Sequence, residues 1–237
     1  AITGDATFTN SAGTDDAITL DDASNAFGGT VTFATDSGSA VTIVDTTALD
    51  LVALSAASLS ATSGGAVTDS GTLAIAGATT ISASGQDITL NQAASTFGTL
   101  ALTGANVAVT ENAATDLGAS TVSGTFAITS GGAITDSGTQ AITGDATFTN
   151  SAGTDDAITL DDASNAFGGT VTFATDSGSA VTIADTTALD LVALTAASLS
   201  VTSGGAVTDS GTLAIAGATT ISASGQDITL DQAASTF

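Results

Sequence analysis

The chain of 237 residues carries 24 acidic side chains and no Lys, Arg or His, so its formal net charge is −24. Because no basic group can displace counterions from phosphates, this composition excludes nucleic acid as an electrostatic partner. A hydrophobic content of 43% argues against disorder, yet no apolar run reaches the about 18 residues of a membrane helix, so membrane insertion is not expected.

Short segments that alternate apolar and polar residues begin near the start of the chain. The first, AITL at 17–20, lies between two pairs of aspartates. In GTVTFATDSGSAVTI, Val31 and Phe33 share one face, and Val41 and Ile43 do the same after a turn. This period of two predicts β-strands, and the intervening Gly, Asp and Ser favour turns.

The phrase SGGAVTDSGT follows at 63–72, returns unchanged at 203–212 and has a near copy, SGGAITDSGT, at 130–139. We interpret it as a corner in which Gly-Gly bends the chain, Val or Ile points inward and Asp-Ser-Gly turns again. The motif TVT occurs at 30–32 and 170–172 but does not recur in successive coils, so no Thr-x-Thr ladder is predicted.

Further strands are predicted in GTLALTGANVAVTE, where Leu100 and Leu102 share a face, as do Val107 and Val109. The segment STVSGTFAITSGG continues this pattern. No stretch combines helical periodicity with helix-cap residues. The chain is therefore predicted to be all-β.

A long repeat organises these strands. Residues 1–97 align with 141–237 at a period of 140, and the two copies differ only at Val44/Ala184, Ser55/Thr195, Ala61/Val201 and Asn91/Asp231. Residues 1–237 are thus expected to form a single segment, with one full repeat at 1–140 followed by a partial copy. The pattern is running at both termini, so we interpret the segment as an excerpt of a longer repeat protein.

A shorter period lies inside the long one. Apolar landmarks recur at intervals of 20–25 residues: Phe27, Leu51, Ile75, Phe97, Leu117, Ile142 and Phe167. Such intervals are typical of solenoids. They predict a parallel β-helix, or β-solenoid, of about ten coils of 20–25 residues, with Val, Leu, Ile and Phe inside and the aspartates outside. The alternative is an array of β-sandwiches, each spanning the 67–73 residues between copies of the repeated phrase.

Three stretches carry a family likeness: DAITLDDASNAFGGTVTF, DITLNQAASTFGTLALTGANVAVTE and DLGASTVSGTFAITSGGAITDSGT. They resemble the repeat region of filamentous-haemagglutinin-like large exoproteins of the two-partner-secretion type. The resemblance covers essentially the whole chain. It implies a right-handed parallel β-helix in a long extracellular fibre, secreted or at the bacterial cell surface, that acts in adhesion or aggregation or as a stalk.

Catalysis is not expected. Without Lys, Arg, His, Cys or Tyr, the abundant Ser has no evident activating base. Paired aspartates could serve as acid and base, but they recur as repeats rather than as one constellation. Solvated acidic turns are the simpler interpretation, and no cofactor is required.

Calcium is the candidate ligand of the acidic segment GTDDAITLDD at 13–22 and 153–162. Calcium takes six to eight oxygen ligands, and the candidates flank a short strand: Asp15, Asp16, Asp21, Asp22, Asp155, Asp156, Asp161 and Asp162. Asp16 and Asp21 are about 16 Å apart along an extended strand, so each end needs help from a neighbouring coil or chain. The alternative is a solvated acidic edge.

The repeats and the resemblance lead to two functional hypotheses, which differ in their partners. The first is a structural fibre or adhesin stalk, reaching a host or neighbouring cell through parts outside this segment. The second is a subunit of a self-assembling filament or sheath, whose partners are other copies or neighbouring fibres. Because the charges lie about 2 Å apart along the expected stack, calcium or high salt is expected to promote lateral association. A binding module is disfavoured, since Phe is the only aromatic residue.

Overall fold

A computed structural model of the chain describes residues 1–10, 13, 15–150, 153 and 155–237. Every regular element in that part of the chain is a β-strand, and parallel strands stack as a β-solenoid of about ten turns. The predicted all-β parallel β-helix is confirmed, and the described pairings are parallel, which excludes the array of sandwiches. The described residues contain no helix long and apolar enough to span a membrane. Two compact units divide the chain, Ala1–Asn112 and Ala113–Phe237.

The first unit contains the strands β1 (Ala6–Thr9), β2 (Ile18–Leu20), β3 (Thr30–Ala34), β4 (Ala40–Asp45), β5 (Leu49–Leu51), β6 (Leu54–Ala56), β7 (Ser58–Ser63), β8 (Val67–Asp69), β9 (Leu73–Ser82), β10 (Ile88–Leu90), β11 (Thr96–Gly104) and β12 (Val107–Glu111). A first face is formed by β1, β3, β5, β8, β10 and β12. A second face is formed by β2, β4, β7 and the later parts of β9 and β11. A third face is formed by β6 and the opening residues of β9 and β11.

The second unit contains the strands β13 (Thr115–Leu117), β14 (Ser120–Val122), β15 (Phe126–Ser130), β16 (Ile134–Asp136), β17 (Gln140–Ile142), β18 (Ala146–Asn150), β19 (Ile158–Leu160), β20 (Ala166–Phe167), β21 (Thr170–Ala174), β22 (Ala180–Asp185), β23 (Leu189–Leu191), β24 (Leu194–Ala196), β25 (Ser198–Ser203), β26 (Val207–Asp209), β27 (Leu213–Ile215), β28 (Thr219–Ser222) and β29 (Ile228–Thr229). Its first face runs β15, β18, β21, β23, β26 and β29. Its second face runs β13, β16, β19, β22, β25 and β28. Its third face consists of β24 and β27, which follow the first face along the chain, as β6 does in the first unit. The strands β14, β17 and β20 form a fourth face, because they follow the second face along the chain and precede the first.

Turn length varies along the stack. Ala6 pairs with Val31 of the next turn, a wide step along the chain, because the acidic loop between β1 and β2 lengthens that turn. Leu49 pairs with Val67, a much narrower step, since the connections between successive strands from β5 to β8 are very short. The shortest turns are therefore shorter than the predicted range of coil lengths.

The core consists of inward side chains that stack on their counterparts in the next turn. Val31, Phe33, Val41 and Ile43 are buried, as the alternation predicted. Phe148 is fully buried and lies against other phenylalanine rings at centroid distances of 5.9 to 6.0 Å. Because the turns stack in register, each inward apolar side chain is covered by the inward side chains of the turns on either side. Small residues such as Ala and Val therefore suffice to fill the interior.

The prediction that the acidic side chains lie outside is wrong for several of them. Asp45, Glu111 and Asp185 are at most 4% exposed, and Asp69 and Asp209 are 5% exposed. A solenoid of unequal turns leaves some backbone N–H groups without a partner strand, and these N–H groups need an acceptor. The buried carboxylates supply it.

Candidate functional site

The first predicted pair of aspartates lies in the loop between β1 and β2. Both side chains are exposed. Asp15 lies against Gly38 of the next turn, where an added Cβ would overlap the carboxylate. The backbone oxygen of Asp16 accepts a hydrogen bond from Nδ2 of Asn10, the residue after β1. Thr14 of this acidic segment lies outside the described residues.

The second copy repeats these contacts in the loop between β18 and β19. Asp155 lies against Gly178, and the backbone oxygen of Asp156 accepts a hydrogen bond from Nδ2 of Asn150. Thr154, the equivalent of Thr14, is likewise outside the described residues. In both copies the first aspartate therefore meets a loop of the following turn.

The predicted aspartates at the far end of the strand have different surroundings. Asp21 and Asp22 follow β2 and are exposed. Hydrogen bonds from the Ser24 hydroxyl and, at 2.8 Å, from the Ser24 backbone hold the pKa of Asp22 below its ordinary value. Asp161 and Asp162 follow β19, and a carboxylate of the preceding turn accepts hydrogen bonds from their backbone N–H groups.

That carboxylate belongs to Asp136, which sequence reasoning assigned to an outer turn. Its Oδ1 accepts the Asp161 N–H at 2.9 Å, and its Oδ2 accepts the Asp162 N–H at 3.3 Å. Nδ2 of Asn165 donates to Oδ2 as well, at 2.6 Å. Burial raises the pKa of Asp136, and these hydrogen bonds oppose that rise.

The four aspartates of each acidic segment do not converge on one point, because the strands β2 and β19 separate the two ends. Among the residues that the structure describes, no three acidic side chains are grouped closely enough to hold a metal ion. Calcium binding at Asp15, Asp16, Asp21 and Asp22, and at their four counterparts, stays a prediction. Any such site needs oxygen ligands other than carboxylates.

The three copies of the repeated phrase share an inward aspartate. Asp69, Asp136 and Asp209 pair across the ladder with a leucine of the previous turn. Oδ1 of Asp69 accepts the Asn91 N–H at 2.7 Å, and Oδ1 of Asp209 accepts the Asp231 N–H at 2.9 Å. Burial raises the pKa of Asp69. The inward position of Asp69 is consistent with the strand alternation in VTD, since Asp69 follows the inward Val67 by two positions.

A second group of buried acids accepts hydrogen bonds from phenylalanine backbone N–H groups, which lie between the second and first faces in chain order. Oδ1 of Asp45 accepts the Phe27 N–H at 3.1 Å. In the second unit, Oδ1 of Asp185 accepts the Phe167 N–H, also at 3.1 Å. Burial raises the pKa of Asp185, and its hydrogen bonds from Thr187 and Phe167 oppose the rise.

The cause of this arrangement is a change in chain path. Up to β20, the short additional strand of each turn in the second unit follows the second face along the chain and precedes the first, whereas β24 follows the first face and precedes the second. After Phe167, the next turn therefore offers no strand on that side, and Asp185 takes the place of the missing carbonyl. Thr187 Oγ1 donates to the Phe167 carbonyl at 3.0 Å and completes the cap.

Glu111 performs the same role for Phe97, whose N–H it accepts at 2.6 Å. Phe27, Phe97 and Phe167 are equally spaced along the chain, at half of the long repeat. The sequence shows this half-period but gives no sign that the strand pairing is interrupted at these positions. The buried acids are therefore structural caps of the solenoid.

The outer side of the second face carries Asp116 beside Thr135 and then a series of hydroxyls. In the second unit one side chain per strand aligns in register, which forms the column Thr135, Thr159, Thr182, Ser200 and Thr220. The strands of this column do not all carry Thr-x-Thr pairs. The column itself cannot be read from the sequence, because the turns differ in length. A groove of about 380 Å³ beside it is lined by residues that include Asp161, Thr182, Thr202 and Ser224.

Comparison with known proteins gives one match. A family model described as "Repeats of unknown function (DUF5649)" matches residues 1–34, 38–103, 104–174 and 178–237. No curated protein matches the chain. No solved structure matches it either.

Proposed function

The chain belongs to the repeat family DUF5649. We propose that it is a non-catalytic structural fibre or adhesin stalk of a bacterial surface or secreted repeat protein. Its role is to supply length and stiffness in adhesion or aggregation. Contact with a host or neighbouring cell is made through other parts of the parent protein. The location that fits this role is extracellular or at the bacterial cell surface.

Within this proposal, the parent protein is of the filamentous-haemagglutinin-like type. The support is the resemblance of the repeats, together with a β-solenoid architecture that suits such a fibre. The long repeat also fits, because units that serve only as length can be duplicated with few changes. Only four positions differ between the two copies.

The observation that carries the proposal is the register of the stack. Ala146 and Phe148 of β18 pair with Val171 and Phe173 of β21, so inward side chains meet like side chains turn after turn. Backbone hydrogen bonds and core contacts both run along the stacking direction. Such a stack resists bending and exposes few unpaired segments to proteases.

Proteolysis tests this proposal. The chain lacks Lys and Arg, so trypsin is uninformative, and proteinase K is the suitable enzyme. We expect the folded chain to stay intact under conditions in which the urea-unfolded chain is cut to small fragments. Rapid digestion of the folded chain at many sites would contradict a durable extracellular fibre.

A pulling experiment tests stiffness directly. With the chain held by its two termini, unfolding should occur in steps, and each step should release the length of one or more whole turns, such as the turn from Ala6 to Val31. Gradual extension at low force, without steps, would mean that the stack does not bear load.

The second candidate is a subunit of a self-assembling extracellular filament or sheath, bridged by divalent cations. The observation that favours it is the charge, because 24 acidic side chains without a basic one give neighbouring copies many carboxylates that a cation can join. Electron microscopy of the purified chain with and without calcium separates the two candidates. Long ordered filaments support assembly, whereas isolated particles support a stalk.

Lateral association is tested by light scattering of micromolar protein. At a net charge of −24, copies repel one another at low salt, and screening or bridging removes that repulsion. Scattering should increase with millimolar calcium or with high salt. Scattering that responds to neither argues against neighbouring fibres as partners.

A further inference from the structure

Four buried side-chain oxygen atoms of the second unit lack a hydrogen-bond partner within the described residues, and two of them belong to Asn150 and Ser179. Asn150 is 5% exposed, and its Nδ2 donates to the Asp156 carbonyl while its Oδ1 accepts nothing. Ser179 is fully buried, and its Oγ is likewise unpaired. Buried polar atoms without partners are rare, and an unrecorded water or ion is one of their ordinary explanations.

Two carboxylates reach the loop that contains Ser179. Asp176 accepts the Gly153 N–H through Oδ2, and its backbone oxygen accepts the Ser179 N–H at 3.1 Å. Asp155 reaches the same turn, because its carboxylate fills the space where a Cβ of Gly178 would lie. Asp155 and Asp176 come from successive turns, so the stack brings together oxygen ligands that are distant in sequence.

The first unit contains the same corner. Nδ2 of Asn10 donates to Ser39 Oγ at 2.9 Å, and Ser39 Oγ donates to Asp36 Oδ1 at 2.8 Å. These bonds place the amide, the hydroxyl and the carboxylate side by side in one corner. Oδ1 of Asn10 is buried and unpaired here too, and Asp15 lies against Gly38.

We propose that each corner binds one calcium ion. In the second unit the ligands are the carboxylates of Asp155 and Asp176, the amide oxygen of Asn150 and the Ser179 hydroxyl. In the first unit they are the equivalent oxygens of Asp15, Asp36, Asn10 and Ser39. Water completes the six to eight oxygen ligands that calcium takes.

The chemistry of the corner selects the ion. All its ligands are hard oxygen atoms, and it contains no nitrogen or sulfur donor of the kind that zinc or copper prefers. Two carboxylates neutralise the charge of a divalent cation. The irregular loop suits the flexible coordination of calcium better than the strict octahedron of magnesium. The site differs from the acidic-segment prediction, because Asp36 and Asp176 of the next turn replace the aspartates that follow β2 and β19.

Isothermal titration of the full chain with calcium tests the proposal. At about 0.15 M ionic strength, exposed charges more than about 8 Å apart are largely screened, so diffuse counterion binding is suppressed. We expect saturable binding of two ions per chain. Binding that never saturates, or that vanishes at this salt concentration, would overturn the proposal.

Variants locate the site. D15N/D155N removes one carboxylate from each corner, and because both side chains are exposed the fold should be kept. Calcium affinity should fall about tenfold or more, since ligand charge tunes affinity. The matched control, D87N/D227N, removes two exposed charges elsewhere and should keep both ions. Equal affinity in the two variants would refute the site.

A second pair of substitutions guards against misfolding and against a pure charge effect. S39A/S179A leaves the net charge unchanged and removes the proposed hydroxyl ligands, together with the hydrogen bonds of Ser39 to Asn10 and Asp36. Calcium affinity should fall several-fold, with the circular dichroism spectrum unaltered. Unchanged affinity, together with unchanged binding by D15N/D155N, means that the buried oxygens are satisfied by water and not by calcium.

Discussion

The carboxylate of Asp185 accepts the backbone N–H of Phe167 at 3.1 Å, although the two residues lie in successive turns of the stack. Asp45 and Phe27 repeat this contact in the other copy at the same distance. The acid stands where a strand carbonyl is missing, because the row of paired strands that contains Phe167 ends there. A solenoid can thus alter its path without leaving a buried N–H group unsatisfied.

Removal of this cap should destabilise the second unit. In D185A the buried Phe167 N–H loses its acceptor, and such an unpaired group costs about 1–3 kcal/mol. D185N should lose less, because the amide oxygen can still accept. Urea unfolding followed by circular dichroism measures both, with the exposed D227A as control. Equal stability of D185A and D227A would show that the contact contributes nothing.

Stability should increase as the solution is acidified from neutral pH. Burial raises the pKa of Asp69, Asp136 and Asp185 above the ordinary value of 3.8. A carboxyl with a raised pKa binds its proton more tightly in the folded state, so its stabilising contribution is present below the unfolded pKa and is lost as pH rises through the folded pKa. The free energy of unfolding should therefore rise between about pH 7 and about pH 4.

Below that window the trend should reverse. Hydrogen bonds from serine hydroxyls hold the pKa of Asp22 and Asp36 low, and their contribution is lost as these groups protonate. Urea titrations at several pH values measure the profile, with sedimentation confirming that the protein stays monomeric. The triple variant D69N/D136N/D185N should flatten the rise, and an equally steep rise in that variant would refute its origin in these three groups.

Two phenylalanines at equivalent positions of the long repeat should differ in their effect on stability. Phe148 is fully buried and contacts three other rings, including Phe126 of the preceding turn. Phe8 is partly exposed and contacts Phe27 and Phe33. F148A should cost about 3–5 kcal/mol, the usual range for a buried phenylalanine, and F8A clearly less. The two unfolding free energies decide, and a larger loss in F8A would contradict the described packing.

A glycine of the repeated phrase should be irreplaceable for a steric reason. A Cβ at Gly71 would overlap the backbone oxygen of Val52 in the previous turn. G71A should therefore cost about 1–3 kcal/mol through forced separation of the turns. A Cβ added at Gly4 would meet open space, so G4A is the matched control and should leave stability nearly unchanged. Similar thermal midpoints for the two variants would show that the turns are not so closely stacked.

The sequence predicts the architecture well because the strand period is local. Val31 and Phe33 alternate with polar residues, and the structure buries both. The apolar residues that recur every 20–25 positions reveal the approximate turn length without knowledge of any contact. The repeated phrase was also predicted to point Val67 inward, and Val67 is fully buried.

What the sequence hides depends on register between turns of unequal length. The column from Thr135 to Thr220 aligns only after turns of different size are placed in order, so no fixed interval reveals it. Asp45 and Asp185 resemble surface turn residues, since their burial depends on where a neighbouring strand ends. The partnership of Asp155 with Asp176 likewise arises from stacking, and the spacing of the acidic segment gives no sign of it.

Engineered cysteines test the pairing of strands between successive turns most directly, because the natural chain contains no cysteine. Thr147 and Thr172 are paired on adjacent parallel strands and are partly exposed, so T147C/T172C should form an intramolecular disulfide on mild oxidation. T147C/T182C places the second cysteine on another face and should remain reduced. A folded T147C/T172C chain that forms no disulfide, or equal cross-linking in both variants, would contradict the stacked solenoid.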